Sequence, residues 1–339
     1  PIFRLVACPT ALATNTSASL LSAVTASVTS SVKSKYSTPV CISELIMMPS
    51  SRAELWVSYR DASNKLTAAP SGATAILEAN AFSAGPAGDV WPEINLATVQ
   101  FAAGGLRNYI ADFAHVVGDA LGNRIAGGIF QAARGDLKTA PVPPGCRPLA
   151  DGRRRRIYFA NMGDDSFGNA IFGLGYEETD LKGTPIDGTF IPVRRFDAMA
   201  EICLPLGKSN TPVNETWELI NLSSELHNFH IHQTKFKVIS ATAPAGTVLA
   251  SNSVVGDGIE ADNIPLPWAA VNAGYPATGA YFDKGACSVD EYRNGSCNVS
   301  PVLVSIPFTR IGKFVYHCHI LEHEDGGMMQ AIRVVPAPN

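Results

Sequence analysis

The chain has 339 residues, 46% of them hydrophobic and 17% charged, with a formal net charge of -4. That length is enough for two domains and too much for most single cores. The charge gives no basic footprint for nucleic acid, and no apolar run is long enough to span a bilayer. Residues 10–32 (TALATNTSASLLSAVTASVTSSV) have a superficial look of an export segment. They lack a basic start and are rich in Ser and Thr, so they read as an irregular loop.

In chain order, short apolar runs broken by Gly, Pro, Asn and Asp dominate: ELWVSY, RIYFANM, TWELINL, FKVISAT, VLVSIPF, KFVYHCH and QAIRVVP. Several alternate polar and apolar residues, the period of a half-buried strand. Helical periodicity is scarce, its best stretch lying around Glu322. Many short strands with turn-rich joints predict an all-β protein of β-sandwich units. The Pro-rich segment 136–152 has no strand pattern and reads as a linker between a unit at 1–135 and another at 153–339. Arg153 to Arg156 follow it, and four consecutive arginines predict a strand entry with solvated side chains rather than an anion patch.

Seven cysteines stand at 8, 41, 146, 203, 287, 297 and 318. Setting Cys318 aside leaves six, enough for three disulfides. Cys287 with Cys297 is the best pair, bracketing a short loop, and Cys8 with Cys41 is a weaker one. Sequons begin at Asn15, Asn214, Asn221, Asn294 and Asn298. Together these lean towards an oxidising, extracytoplasmic compartment, secreted or periplasmic.

Six of the seven histidines fall in two clusters, ELHNFHIHQTKF at 225–236 and VYHCHILEHEDGGMM at 315–329. The seventh, His115, has no histidine neighbour and reads as structural. In an extended His317-Cys318-His319, the two imidazoles project to one face and the thiol to the other. One tripeptide can then serve two metal centres. His230-Ile231-His232 repeats the geometry. A thiolate, two imidazoles and a thioether are the ligand set of a blue-copper site. Cys318, His227 and His323 supply the first three, and Met328 or Met329 the fourth. Zinc is the chief rival, but its C-x-x-C pairs are absent.

The pattern H-x-x-H-x-H at His227, His230 and His232, followed by H-C-H-x-x-x-H-x-x-x-x-M, resembles the C-terminal half of the multicopper oxidases. HCHILEHEDGGMM is similar to the laccase and bilirubin-oxidase branch. TWELINLSSELHNFHIHQTKFKVI resembles the strand leading into the first motif of the final cupredoxin domain, and PIFRLVACPT with SELIMMPSSRAELWVSY the later part of the middle one. The resemblance implies Greek-key cupredoxin sandwiches, the first incomplete in this chain. It implies type 1 copper held by Cys318, His227, His323 and, on the family spacing, Met328. It places type 2 copper on His230 and the type 3 pair on His232, His317 and His319. Glu324 matches an acidic position that helps deliver protons in related laccases, and reads equally as an exposed carboxylate at a helix start.

The implied activity is one-electron oxidation of phenolic, aromatic or tetrapyrrole donors coupled to four-electron reduction of O2 to water. A full trinuclear cluster in that family needs eight histidines, and this chain supplies four. A chain starting at Pro1 without a methionine also reads as processed or as a piece of something longer. The expectation is therefore a second polypeptide, cleaved or separately encoded, that supplies two H-x-H motifs. From a different class comes an electron-transfer or copper-binding cupredoxin. A copper nitrite reductase is third, since its cysteine has one flanking histidine. Residues 250–300, with Trp268, Tyr275, Tyr281 and the Cys287/Cys297 loop, read equally as a substrate mouth or a surface ornament.

Overall fold

The computed structural model describes residues 145–241, 260–269 and 287–338 except Asn298, with most of 69–101 and a few shorter stretches before them. In the first unit the strands are β1 (Ile2–Arg4), β2 (Glu44–Ile46), β3 (Thr74–Ala79), β4 (Phe82–Ser83), β5 (Val90–Trp91) and β6 (Ile94–Gln100). They form antiparallel pairs β1–β2, β3–β6 and β4–β5. The ELWVSY run, Cys8, Cys41, Asn15 and His115 lie outside the described residues.

From Arg153 onward the chain is an all-β sandwich. Its strands are β7 (Arg153–Asp164), β8 (Ala170–Asp180), β9 (Ile191–Arg194), β10 (Glu201–Pro205), β11 (Val213–Asn221) and β12 (His227–Ile231). There follow β13 (Phe236–Ala241), β14 (Glu260–Ala261), β15 (Asn263–Leu266), β16 (Val302–Phe308), β17 (Gly312–His317) and β18 (Met329–Val335). Among the described residues it also carries two short α-helices, α1 (Val289–Arg293) and α2 (Leu321–Asp325). One sheet runs β14-β13-β16-β11-β7-β8-β9, the other β10-β18-β17-β12-β15. The order interleaves distant strands, as a Greek-key cupredoxin domain does.

Alternation produces this arrangement. In β16, VLVSIPF, every second side chain is buried, and Val302, Val304, Ile306 and Phe308 join the core between the sheets. Ile157 and Phe159 of β7, Trp217 and Leu219 of β11, Phe229 and Ile231 of β12, and Phe314 and Tyr316 of β17 meet them there. Their period-two partners face the other way: Tyr158, Ile220 and Leu222 form an outer cluster with Cys287 and Val289. A capping box starts α1, with Ser288 accepting from the Glu291 N–H and the Glu291 side chain accepting from the Ser288 N–H. The Cys287–Cys297 disulfide closes that segment over the outer cluster.

A second disulfide, Cys146–Cys203, ties the Pro-rich segment to β10. Sequence spacing gave no hint of it, because 57 residues separate the two cysteines. The Asn221 sequon is not available in the fold. Asn221 is buried, and its amide donates to the Glu225 and Leu266 carbonyls at 2.8 and 3.0 Å.

The arginine run departs from the solvated strand entry. Arg155 and Arg156 are buried. Arg155 makes a two-point pair with Glu215, Nε and Nη2 each at 3.0 Å, and Trp217 Nε1 donates to the same carboxylate at 2.8 Å. On the opposite face Arg156 meets Glu218 at 2.6 Å and Glu177 at 3.1 Å, with its guanidinium over the Tyr292 ring. Glu177 also takes Arg293 of α1 and the Tyr158 hydroxyl. Cross-strand register makes this possible, since Arg155 stands opposite Glu178 and Arg156 opposite Glu177. Buried charges of both signs are thus matched rather than solvated.

Removing one member of a buried pair leaves its partner uncompensated. Glu215→Ala is expected to cost about 3–5 kcal/mol of stability, read by denaturant unfolding. A loss under about 1 kcal/mol would mean the pair behaves like an exposed one.

Candidate metal centre

His227 opens β12, Cys318 follows the last residue of β17, and His323 lies in α2. All three are buried. Their ligand atoms lie within 4.8 Å of one another. The two imidazoles present the same atom: His227 Nδ1 and His323 Nδ1 are 2.9 Å apart, and 3.9 and 3.5 Å from Cys318 Sγ. The Asn228 N–H points at that sulfur from 3.4 Å. Phe172, which the sequence did not single out, stacks on the His323 ring at 4.2 Å and closes one wall.

Met328 and Met329 separate by register. Met329 pairs with His317 across β17–β18 and shares its face. Met328 is fully buried in the core cluster that contains Cys318. Its carbonyl accepts the Cys318 N–H at 3.0 Å, and its N–H donates to the His323 carbonyl at 2.9 Å. The turn before it needs glycine: Gly327 has φ +109°, and a Cβ there would lie 3.1 Å from the Phe172 carbonyl.

The two imidazoles differ in their electrostatics. Burial, and then the neighbouring His323, hold His227 well below the ordinary imidazole range. Burial also opposes charge on His323, but Cys318 and Glu225 outweigh it and push His323 up to about 9. The pair thus offers one neutral imidazole, and a second whose charge is stabilised by a sulfur and a carboxylate.

The second cluster lies on the other side of the tripeptide. His230 and His317 are directly opposed across β12–β17. The rings of His230, His232, His317 and His319 have neighbouring centroids 5.1–5.2 Å apart. His230 Nδ1 donates to the Asp262 carbonyl at 2.7 Å, and His317 Nδ1 is 3.0 Å from the Cys318 carbonyl. Those bonds leave Nε2 of each ring unprotonated and free to bind metal. His317 Nε2 faces His232 Nε2 at 3.1 Å. Burial lowers His230 to about 4 and also lowers His317, so both are neutral near pH 7. His319 Nδ1 is buried with no hydrogen-bond partner among the described residues. Glu324 Oε2 sits 3.2 Å from His317 Nδ1. His232 is exposed, so this cluster has an open side.

The donor chemistry fits copper. A cysteine sulfur and two imidazoles converge in a buried pocket beside a thioether-bearing residue, while the neighbouring cluster is all imidazole. Sequence profiles agree: the multicopper oxidase family matches residues 210–338. The C-terminal region belongs to the multicopper oxidase family.

Multicopper oxidase LPR1 of Arabidopsis thaliana is 32% identical over 141 residues, 38% of this chain and 23% of that protein. Multicopper oxidase mco of Staphylococcus aureus is 28% identical over 124 residues, 35% and 20% of the two chains. A solved multicopper oxidase from Campylobacter jejuni, described as a metallo-oxidase, aligns over 78% of this chain and 41% of its own, with 19% identity and a TM-score of 0.35. The chain thus spans about a quarter or less of the curated relatives' length.

Phe172→Ala should remove the wall against His323 and cost about 3–5 kcal/mol, as large-to-small changes of buried aromatics do. Equilibrium unfolding checks this, and a neutral substitution would mean that the stacking carries no packing energy.

Proposed function

We propose that this chain is the C-terminal part of a laccase-like multicopper oxidase. It would couple one-electron oxidation of electron-rich phenolic, aromatic or tetrapyrrole donors to four-electron reduction of O2 to water. The observation that carries the proposal is the two-sided tripeptide. Cys318 faces His227 and His323, and its flanking histidines stand with His230 and His232. A type 1 site alone uses none of those four imidazoles, which disfavours a pure electron-transfer cupredoxin.

In this reading Cys318, His227, His323 and Met328 hold type 1 copper, His230 the type 2 ion, and His232, His317 and His319 the type 3 pair. Copper, when bound, supplies one-electron redox chemistry on the Cys318 side and oxygen reduction on the histidine side. The chain's own groups do the rest. Backbone carbonyls at Asp262 and Cys318 fix the tautomers of His230 and His317. Burial keeps bulk water from Cys318. Glu324, beside His317 and partly exposed, can pass protons between solvent and the oxygen side.

Four further histidines would come from a second polypeptide carrying two H-x-H motifs. Two facts support this: only His115 remains in the sequence outside the clusters, and His232 leaves the second cluster open. An extracytoplasmic setting is supported by the Cys146–Cys203 and Cys287–Cys297 disulfides. Among the described residues no helix is long and apolar enough to cross a membrane.

Cys318→Ser is the direct test, since it should abolish the blue absorption of the copper-loaded protein. An unchanged spectrum refutes the ligand role. Met328→Leu should keep the colour and raise the type 1 potential, because a thioether stabilises oxidised copper. A rise on Met329→Leu instead would reverse the choice between the two. Denaturing mass analysis of the oxygen-consuming particle should find the second polypeptide. If this chain proves to be the sole one, the electron-transfer reading takes first place.

A further inference from the structure

One five-residue turn, Ser223-Ser224-Glu225-Leu226-His227, stands behind both imidazoles of the Cys318 site. Ser223 Oγ is 2.9 Å from His227 Nε2, on the side of the ring away from the sulfur. The same oxygen accepts the Asn161 N–H at 2.8 Å. A hydroxyl oxygen accepts two hydrogens, so it can take the His227 Nε2 hydrogen as well. That leaves His227 Nδ1 bare and turned to Cys318.

Glu225 backs His323 as an ion-pair partner. Its Oε2 lies 3.6 Å from His323 Nε2, again at the back of the ring. Its other oxygen, Oε1, is buried and has no hydrogen-bond partner among the described residues. A buried carboxylate half without partners is costly, and among the described residues Glu225 has no ion-pair partner besides His323. The turn is itself anchored. Asn221 Oδ1 accepts the Ser223 N–H at 2.9 Å, and the Asn221 amide donates to the Glu225 carbonyl. The Leu226 N–H donates to the Ala84 carbonyl at 2.6 Å, reaching into the first unit.

We infer that Ser223 and Glu225 are positioning residues for the copper site. Ser223 fixes His227 as an Nδ1 ligand without adding charge, and Glu225 places a negative charge behind His323. This rests on the copper reading of Cys318. The two backings differ in kind, so their consequences differ. A negative charge behind a ligand favours Cu(II) over Cu(I) and holds the reduction potential down. A neutral hydroxyl affects orientation and affinity and leaves the potential nearly alone.

The experiment is an optical redox titration of the blue band in the copper-loaded assembly, with copper affinity measured alongside. Glu225→Gln keeps the shape and removes the charge. It should shift the Cu(II)/Cu(I) equilibrium about tenfold towards Cu(I), a rise of about 59 mV for a one-electron couple. Ser223→Ala should weaken copper binding about tenfold with little change in potential. Where Gln is not tolerated, Glu225→Asp retains the charge but withdraws it, and should move the potential the same way by a smaller factor. A Glu225→Gln protein that keeps its blue band and the parent's potential overturns the assignment, as does an unmoved Asp variant in its stead. A parent protein with no copper at Cys318 overturns the copper reading itself, and that is visible before any variant is made.

Discussion

The antiparallel register of β12 against β17 is the constraint on which the site depends. It sets His230 opposite His317, and side chains then alternate by the pleat. His317 and His319 go one way with His230 and His232, while Cys318 goes the other towards His227 and His323. A slip of one residue would turn the thiol into the histidine cluster and the histidines into the core. The large buried apolar residues of the same strands resist that slip. Phe229 and Ile231 of β12, with Phe314 and Tyr316 of β17, are committed to the core between the sheets. Core packing and metal geometry are therefore one specification.

The surrounding architecture serves to hold that register at one end of the sandwich. β18 returns beside β17, and the turn between them carries α2, Gly326 and Gly327. Phe172 of β8 donates its N–H to the Gly326 carbonyl and stacks on His323. The seven-stranded sheet is thereby joined to the His323 loop of the five-stranded one. On the far side of that sheet, Arg156, Glu177, Glu218 and Arg293 lock α1 in place. Such a network is weak evidence for raw stability, because desolvation offsets much of its attraction. It does make the pairing of β7, β8 and β11 specific, since Arg155 and Arg156 of β7 each meet carboxylates from both neighbouring strands.

What the sequence disclosed and what it hid follow from the range of each interaction. VLVSIPF, KFVYHCH and QAIRVVP were legible as strands because their alternation is local. The two histidine clusters stood out because each is a short local span, and the fold brings their side chains together. β8 was not, since AIFGLGYEETD mixes glycines with buried glutamates. Its Glu177 and Glu178 make sense only opposite the arginines of β7. The solvated reading of Arg155 and Arg156 failed for the same reason. Cys146–Cys203 was hidden by distance along the chain. Ser223 and Glu225 lay inside the quoted motif, yet ordinary residue types two and four positions before a histidine carry no signal until the turn is seen.

Copper-edge anomalous diffraction from the copper-loaded, oxygen-consuming assembly tests the central claim most directly. The account predicts copper density on both faces of the tripeptide. One site should be bounded by Cys318, His227 and His323, and another by His230, His232, His317 and His319, completed by histidines from a second polypeptide. Density beside Cys318 alone, with the four other histidines bare, would contradict it.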